Sequence, residues 1–429
     1  MELTRRYFLK SSGALLAYTG IAPLSGLLAQ AAANGQPVSR GKTLVVVFLR
    51  GGTDGLNLVV PYGDPEYYKL RRTIAIPQPG KQDGAVDLDG FFGLHPQAAA
   101  LAPLLQSGEA TALHAVGYAH NTRSHFEEQD TWETGIIGNT VSSDGWLNRH
   151  LLTSTGRGPI RALSIGDNLP RILHGKADAI AIRGLTDLAL PKRRGGMDPA
   201  VLRAALEDAY CSHEPAERRD VIDAQTLLAQ TAGATLESMK HLQTLSKETY
   251  QPVAPYPETR FARNLESVAR LVKADLGLEV VELTLGGWDT HNTQGGVHGA
   301  FGNLCRVLAE GLAAFQKDLG PKMDDVLVLT LSDFGRTAEE NGTGGTDHGW
   351  GNCMFALGGG VRQVRQKQKA PVLTQWPGLA KEQLNQKRDL LHTTDFRDVI
   401  GEVVQAHLGN PNLKRVLPGH AFKPVGLVV

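Results

Sequence analysis

Apolar residues fall along this chain in two kinds of segment. Some form continuous runs that end at glycine or aspartate: KTLVVVFLRGG (Lys42 to Gly52), EATALHAVG (Glu109 to Gly117), LEVVELTLGG (Leu278 to Gly287), DVLVLTLSD (Asp325 to Asp333) and MFALGGG (Met354 to Gly360). Runs of this kind fit strands buried on both faces, as in a parallel sheet. Between them lie segments with helical spacing: His95 to Gly108, Asn121 to Gly135, Phe261 to Leu276, His298 to Leu319 and Thr393 to Gly409. Ser124 reads as the N-cap of the second of these, with Glu127 closing a capping box. The alternation predicts an α/β fold, a doubly wound, mostly parallel sheet flanked by helices. From about 150 to 260 the rhythm changes. Two strand-like pieces, RALSIG and ADAIAIRG, precede two helices, the second at about Asp220 to Leu245. This block reads as a helical and β insertion.

The first 33 residues have the layout of a signal peptide. TRRYFLK (Thr4 to Lys10) is followed by a mild apolar stretch and then by small residues with A-x-A options at Ala29-Gln30-Ala31 and Ala31-Ala32-Ala33. Paired arginines in that setting point to twin-arginine export, with the export machinery as a partner and a periplasmic or secreted location. The mature domain would run from 34 to 429. No later segment offers about 18 consecutive apolar residues, so no stable membrane span is expected after cleavage. Lys+Arg and Asp+Glu both number 44. That balance leaves no basic footprint for nucleic acid. The cysteines, Cys211, Cys305 and Cys353, form no C-x-x-C, which argues against a thiolate zinc site. Cys305 falls on an apolar helix stripe and reads as core.

In open α/β sheets, sites form beyond the carboxyl ends of the strands. The chemistry-bearing residues collect there. RGGTDGLN gives Arg50, Asp54 and Asn57, and HNTRSHF gives His120, Arg123, Ser124 and His125. GGWDTHNTQ gives Asp289, His291 and Asn292, and SDFGRT gives Asp333 and Arg336. TGGTDHGWG then sets Asp347 and His348 among four glycines. Deprotonated ligands arriving from rigid elements are what a metal site needs, and glycine lets backbone approach closely. Nitrogen and oxygen ligands without thiolates suit zinc, manganese, magnesium or calcium. Asp54, Asp289, His291, Asp333, Asp347 and His348 are the candidate ligands. Each also has a plainer use: Asp54 in a turn, Ser124 as a cap, Asp333 in an ion pair with Arg336, His125 facing outward on its helix.

Six segments carry a wider resemblance: VVVFLRGGTDGLN, RSHFEEQDTWETG, GGWDTHNTQ, LSDFGRT, NGTGGTDHGWGN and TTDFRDV. Together they resemble a family of exported bacterial proteins with an uncharacterised domain, itself similar to the alkaline phosphatase and sulfatase superfamily. The resemblance implies a metal site at the strand ends and a hydroxyl nucleophile after the second strand. Asp54 would be the first-strand ligand and Ser124 the nucleophile. Asp289 with His291, Asp333 and His348 would match later ligands. Three departures stand out. Phe334 follows Asp333 where phosphatases have histidine. Asp289 and His291 are two apart where phosphatases use four. The sulfatase Cys/Ser-x-Pro-x-Arg signature is absent around Ser124, so formylglycine is not expected. The implied function is an exported metal-dependent hydrolase or transferase acting on a small anionic ester, phosphate or sulfate. Arg123 or Arg336 would hold the anion. The rival is a non-catalytic exported scaffold or binding protein with a degenerate metal site.

Overall fold

The computed structural model describes residues 41–138, 144–156, 158, 160–185, 241–361 and 370–428. The expected signal peptide, the first helix of the expected insertion, all of the second helix but its end, and Cys211 lie outside the described residues; residues 241–247 are helical. The strands, in chain order, are β1 Thr43–Arg50, β2 Val59–Val60, β3 Val86–Asp87, β4 Gly93–Leu94, β5 Ala110–Gly117 and β6 Ala162–Ile165. They continue with β7 Ile180–Ile182, β8 Val280–Gly286, β9 Val326–Ser332, β10 Asn352–Gly358, β11 Val372–Leu373 and β12 Thr394–Asp395. Five helices matter below: α1 His125–Thr134, α2 Trp146–Thr153, α3 Arg260–Lys273, α4 Ala300–Leu319 and α5 Phe396–Glu402.

Nine strands form the main sheet in the order β11-β5-β10-β9-β1-β8-β6-β7, with β12 paired to β5. β2, β4 and β3 form a small separate sheet. β1 is central and apolar from Leu44 to Leu49. Val45, Val47 and Leu49 face one core with α3, α4 and residues 96–107, while Leu44, Val46 and Phe48 face another with α1, α2 and α5. Helices therefore cover both faces, and the continuous apolar runs follow from that double burial. The fold is α/β with a mostly parallel sheet, as the alternation implies.

Two features depart from the expected layout. The strand-like pieces at the start of the expected insertion are β6 and β7, which extend the main sheet in parallel beyond β8. Second, β10 runs antiparallel to both neighbours, β5 and β9. Its first residue, Asn352, therefore lies level with the carboxyl ends of the other strands, opposite Val116 on β5. The segment before β10, TGGTDHGWG, is delivered to the edge where β1, β5, β8 and β9 end. A parallel β10 would have placed it at the far side of the sheet.

That far edge has its own anchor. Glu279, just before β8, accepts from Arg161 Nε (2.9 Å) and Nη2 (3.1 Å) and from Ser154 Oγ (2.8 Å). His150 Nε2 stands 3.4 Å from the same carboxylate. Burial alone would raise the Glu279 carboxyl, but the His150 and Arg161 bonds and the Arg161 charge outweigh it and hold it at about 2, against an ordinary 4.5. A depressed folded-state pKa contributes stability above the unfolded value and loses it as pH falls through the folded one. The difference corresponds to about 3 kcal/mol. Urea unfolding of the wild type should weaken between pH 4.5 and about 2. Glu279→Gln should be less stable at pH 6 and show a smaller loss over that window. Equal pH slopes in the two proteins would remove Glu279 from this role.

Candidate functional site

Four side chains meet at the carboxyl edge: His125, Asp289, His291 and His348. The Nε2 atoms of the three histidines converge on Asp289 Oδ1, at 3.6 Å for His125, 3.1 Å for His291 and 3.3 Å for His348. His291 Nε2 and His348 Nε2 are 2.9 Å apart. Every one of the three Nδ1 atoms has an acceptor. His125 Nδ1 is 2.6 Å from Asp333 Oδ2, His291 Nδ1 is 3.0 Å from Asp347 Oδ1, and His348 Nδ1 is 2.8 Å from the Arg123 carbonyl.

Carboxylates and carbonyls only accept, so each Nδ1 carries the proton. In neutral rings all three Nε2 lone pairs then point at one place. Two lone pairs at 2.9 Å repel unless a proton or a metal ion lies between them. Ligand atoms bonded at about 2.0–2.2 Å and about 90–110° to a zinc-type ion stand about 2.8–3.6 Å apart. The three spacings to Asp289 Oδ1 and the His291–His348 spacing fall in that range, and ligand atoms of His125, Asp289 and His348 all lie within 4.8 Å of one another. His125 Nε2 is buried and has no hydrogen-bond partner, another sign that the donor set fits an ion. The acceptors on Nδ1 are the supports that metal-binding histidines ordinarily have.

The two faces of the cluster titrate differently. The Asp333 hydrogen bond holds the His125 ring above its usual pKa, while burial lowers His348. Burial would raise Asp289, but the Arg336 hydrogen bond and charge prevail and keep its carboxyl low. Hydrogen bonds from Asn341 and His291 lower Asp347.

Each element reaches the site for a local reason. α1 begins at His125 because the chain turns out of β5 through His120 and Arg123, both at positive φ (78° and 58°). The expected capping box does not form, and the Ser124 side chain makes no cap bond. Glu128 turns back instead, accepting from Thr122 N (2.7 Å), Thr122 Oγ1 and Tyr118 Oη. The glycines of TGGTDHGWG allow close backbone approach. A Cβ on Gly345 would stand 2.2 Å from the His291 carbonyl oxygen, and one on Gly349 would stand 2.3 Å from the Arg336 backbone. The Phe334 ring lies 4.7 Å from that of His125 and 4.6 Å from that of His348, forming a buried floor under both.

The sequence-predicted residues divide into three groups. Asp289, His291 and His348 form the cluster, with Asp333 and Asp347 behind them as hydrogen-bond partners of the rings. Asp54 stands apart. It is fully buried, and its Oδ2 accepts from Arg71 Nη1 and Gln294 Nε2, both at 2.6 Å. Arg71 occupies the place beside Asp54 that an ion would need. The two candidate anion-binding arginines are already engaged. Arg123 donates to Asp389 through Nε (2.9 Å) and Nη2 (2.5 Å). Arg336, fully buried, donates to the carbonyls of Gly51, Gly52 (2.6 Å), Trp288 (2.9 Å) and Thr346 (3.0 Å) and to Asp289 (2.6 Å). Asp333 pairs with His125 and not with Arg336. His125, for which an outward-facing position is the plainer alternative, points into the cluster. Its signal was its place as the first helical residue after a strand end.

A protein family described as "Protein of unknown function (DUF1501)" matches residues 145–412, more than half of the chain. The matched stretch carries Asp289, His291, Asp333, Arg336, Asp347 and His348, while Ser124 and His125 precede it. No curated protein matches the chain.

The Arg336 fork generates a stability prediction. Lysine has one ammonium and cannot reach four carbonyls and a carboxylate. Arg336→Lys should lower unfolding stability by about 3–5 kcal/mol, the scale of breaking a buried charge network. A urea midpoint equal to that of the wild type would show that the clamp is dispensable.

Proposed function

The chain belongs to the DUF1501 family of proteins of unknown function, and we propose that it is an exported metal-dependent hydrolase or transferase of phosphate or sulfate esters. The observation that carries this reading is the convergence of three Nε2 atoms on Asp289 Oδ1, each Nδ1 being spent on an acceptor. Three imidazoles and one carboxylate suit zinc or a similar transition ion better than magnesium or calcium, which favour all-oxygen shells. The reading is of one ion. Asp54 is neutralised by Arg71, Asp333 serves His125, and Phe334 stands where a further imidazole would be needed. The paired arginines of the N-terminal segment support export.

A divalent ion held by His125, Asp289, His291 and His348 would supply Lewis acidity toward an ester oxygen and offset developing charge. The chain's own residues supply the rest. Ser124 adjoins His125, and its hydroxyl, free of any capping duty, is the attacking group. Its oxygen bonds to phosphorus or sulfur, the bond to the leaving alkoxide breaks, and the serine proton is lost to solvent as the alkoxide gains one. Asp333, Asp347 and the Arg123 carbonyl keep the rings oriented. The cation with donors to spare is Arg388. Its Nη2 donates to the His348 carbonyl (2.5 Å) and its Nε stands 3.5 Å from Asp389 Oδ1, but Nη1 has no partner among the described residues, and its side chain is 43% exposed. It would meet the anionic oxygens of the substrate in place of Arg123 and Arg336.

The rival reading, a non-catalytic binding protein, draws on the Arg71–Asp54 pair, which removes one ligand that the superfamily resemblance implies. Two experiments separate them. Protein purified from the periplasm without added ions should contain close to one transition ion per chain by inductively coupled plasma mass spectrometry, and His348→Ala should lose most of it. Absence of metal from both proteins would sink the hydrolase reading. Ser124→Ala should retain the metal and lose turnover on whichever phosphate or sulfate ester the wild type cleaves. Undiminished turnover would exclude Ser124 as the nucleophile, and a wild type inactive on the whole panel would leave the binding protein.

A further inference from the structure

We propose that Asp389 and Arg123 form a positioning pair that fixes the tautomer and orientation of His348 and so sets the metal affinity of the cluster. The inference rests on the metal-centre reading above. Neither residue touches the point where the Nε2 atoms meet. Their effect travels through one carbonyl.

Arg123 has φ 58°, a left-handed conformation that a residue with a Cβ adopts only at a cost. The conformation has a visible use, because the Arg123 carbonyl lies 2.8 Å from His348 Nδ1. The side chain holds the turn in place. Nε and Nη2 both bond to Oδ2 of Asp389, whose carboxylate is fully buried, and Nη2 also bonds to Gln386 Oε1 at 2.8 Å. The guanidinium lies 5.3 Å from the centre of the Trp350 ring.

The loop that carries Asp389 is itself constrained. Gln386 and Lys387 both have positive φ (54° and 58°). Asp389 N donates to Asn385 O at 3.1 Å, Ala338 N donates to Arg388 O at 3.1 Å, and Thr337 bridges to Asp389. The same loop returns to His348 through the bond from Arg388 to the His348 carbonyl. His348 is thus gripped at its ring by the Arg123 carbonyl and at its backbone by Arg388, and the loop of Asp389 holds both contacts in place. Strain of this kind persists where surrounding structure over-determines it, and it gathers at functional sites.

The chemical consequence concerns one proton. With an acceptor at Nδ1, that atom keeps the hydrogen and Nε2 offers a lone pair to the cluster. If the carbonyl swings away, the ring is free to carry its proton on Nε2, which aims a hydrogen where a ligand atom should be. Loss of such supporting bonds typically costs 10–100-fold in metal affinity.

The test uses the full mature chain with three variants: Asp389→Ala, Asp389→Glu and Arg123→Lys. Two quantities are read, the zinc dissociation constant and the imidazole nitrogen shifts of His348 in metal-free protein, assigned by comparison with His348→Gln. Asp389→Ala should weaken zinc binding by about 10–100-fold and move His348 from pure Nδ1–H toward a mixture containing Nε2–H. Asp389→Glu should recover part of both. If Asp389→Ala does not fold, Arg123→Lys, which keeps the charge and loses the fork, carries the same two readouts. A His348 tautomer and a zinc affinity unchanged in the folded variants would overturn the inference. If the wild type binds no zinc, the metal reading falls by itself, and the tautomer shift in metal-free protein still decides whether Asp389 and Arg123 position His348.

Discussion

One buried guanidinium joins the loops on which the rest of the working edge depends. Arg336 follows β9, takes carbonyl oxygens from the turn after β1, the turn after β8 and the segment before β10, and also holds Asp289. Carbonyls pointed at a common centre repel one another. Only a planar group with several donors and a permanent charge can gather them at hydrogen-bonding distance. The bareness of the surrounding chain follows from the same requirement. Gly51, Gly52 and Gly349 lie beside this group, where side chains would hold the backbones apart. The cluster of histidines is therefore assembled on a base whose geometry is set before any of its own atoms are considered.

The direction of β10 is the second constraint, and it marks the limit of what the sequence discloses. The strands were legible because each central one is buried on two faces and so reads as an unbroken apolar run closed by glycine or aspartate. A run reads the same in either direction. Nothing in NCMFALG indicates that the strand opposes its neighbours. The convergence of Asp289, His291 and His348 was legible as well, because residues at strand ends share an edge whatever the details. What escaped was pairing between distant segments. His125 faces inward because Asp333, at the end of β9, draws its ring. In the sequence Asp54 reads as a candidate ligand because Arg71, in a segment of no recognisable motif, gives no warning of its approach. The support of His348 by a backbone carbonyl cannot be read from side-chain identity at all. The capping box failed for a related reason: the Ser124 N–H that Glu127 would accept donates instead to Thr122 Oγ1, whose own donors go to Glu128.

Phe334 looks like a loss when set against the resemblance to phosphatases. In place it has a positive role. Its ring packs against two imidazoles and restricts their rotation without offering them a competing hydrogen bond. An imidazole in that position would need a partner of its own. The phenyl ring demands none and excludes water from beneath the cluster.

Arg71 brings to Asp54 a charge that no chelator, competing cation or shortage can withdraw. The charge of Asp54 is balanced as soon as the chain folds. Were the histidine cluster to take an ion as proposed, folding and loading could then be separate events. On the proposed reading an ion would fill a single position, and the Asp54 side of the scaffold would not depend on whether that position is filled.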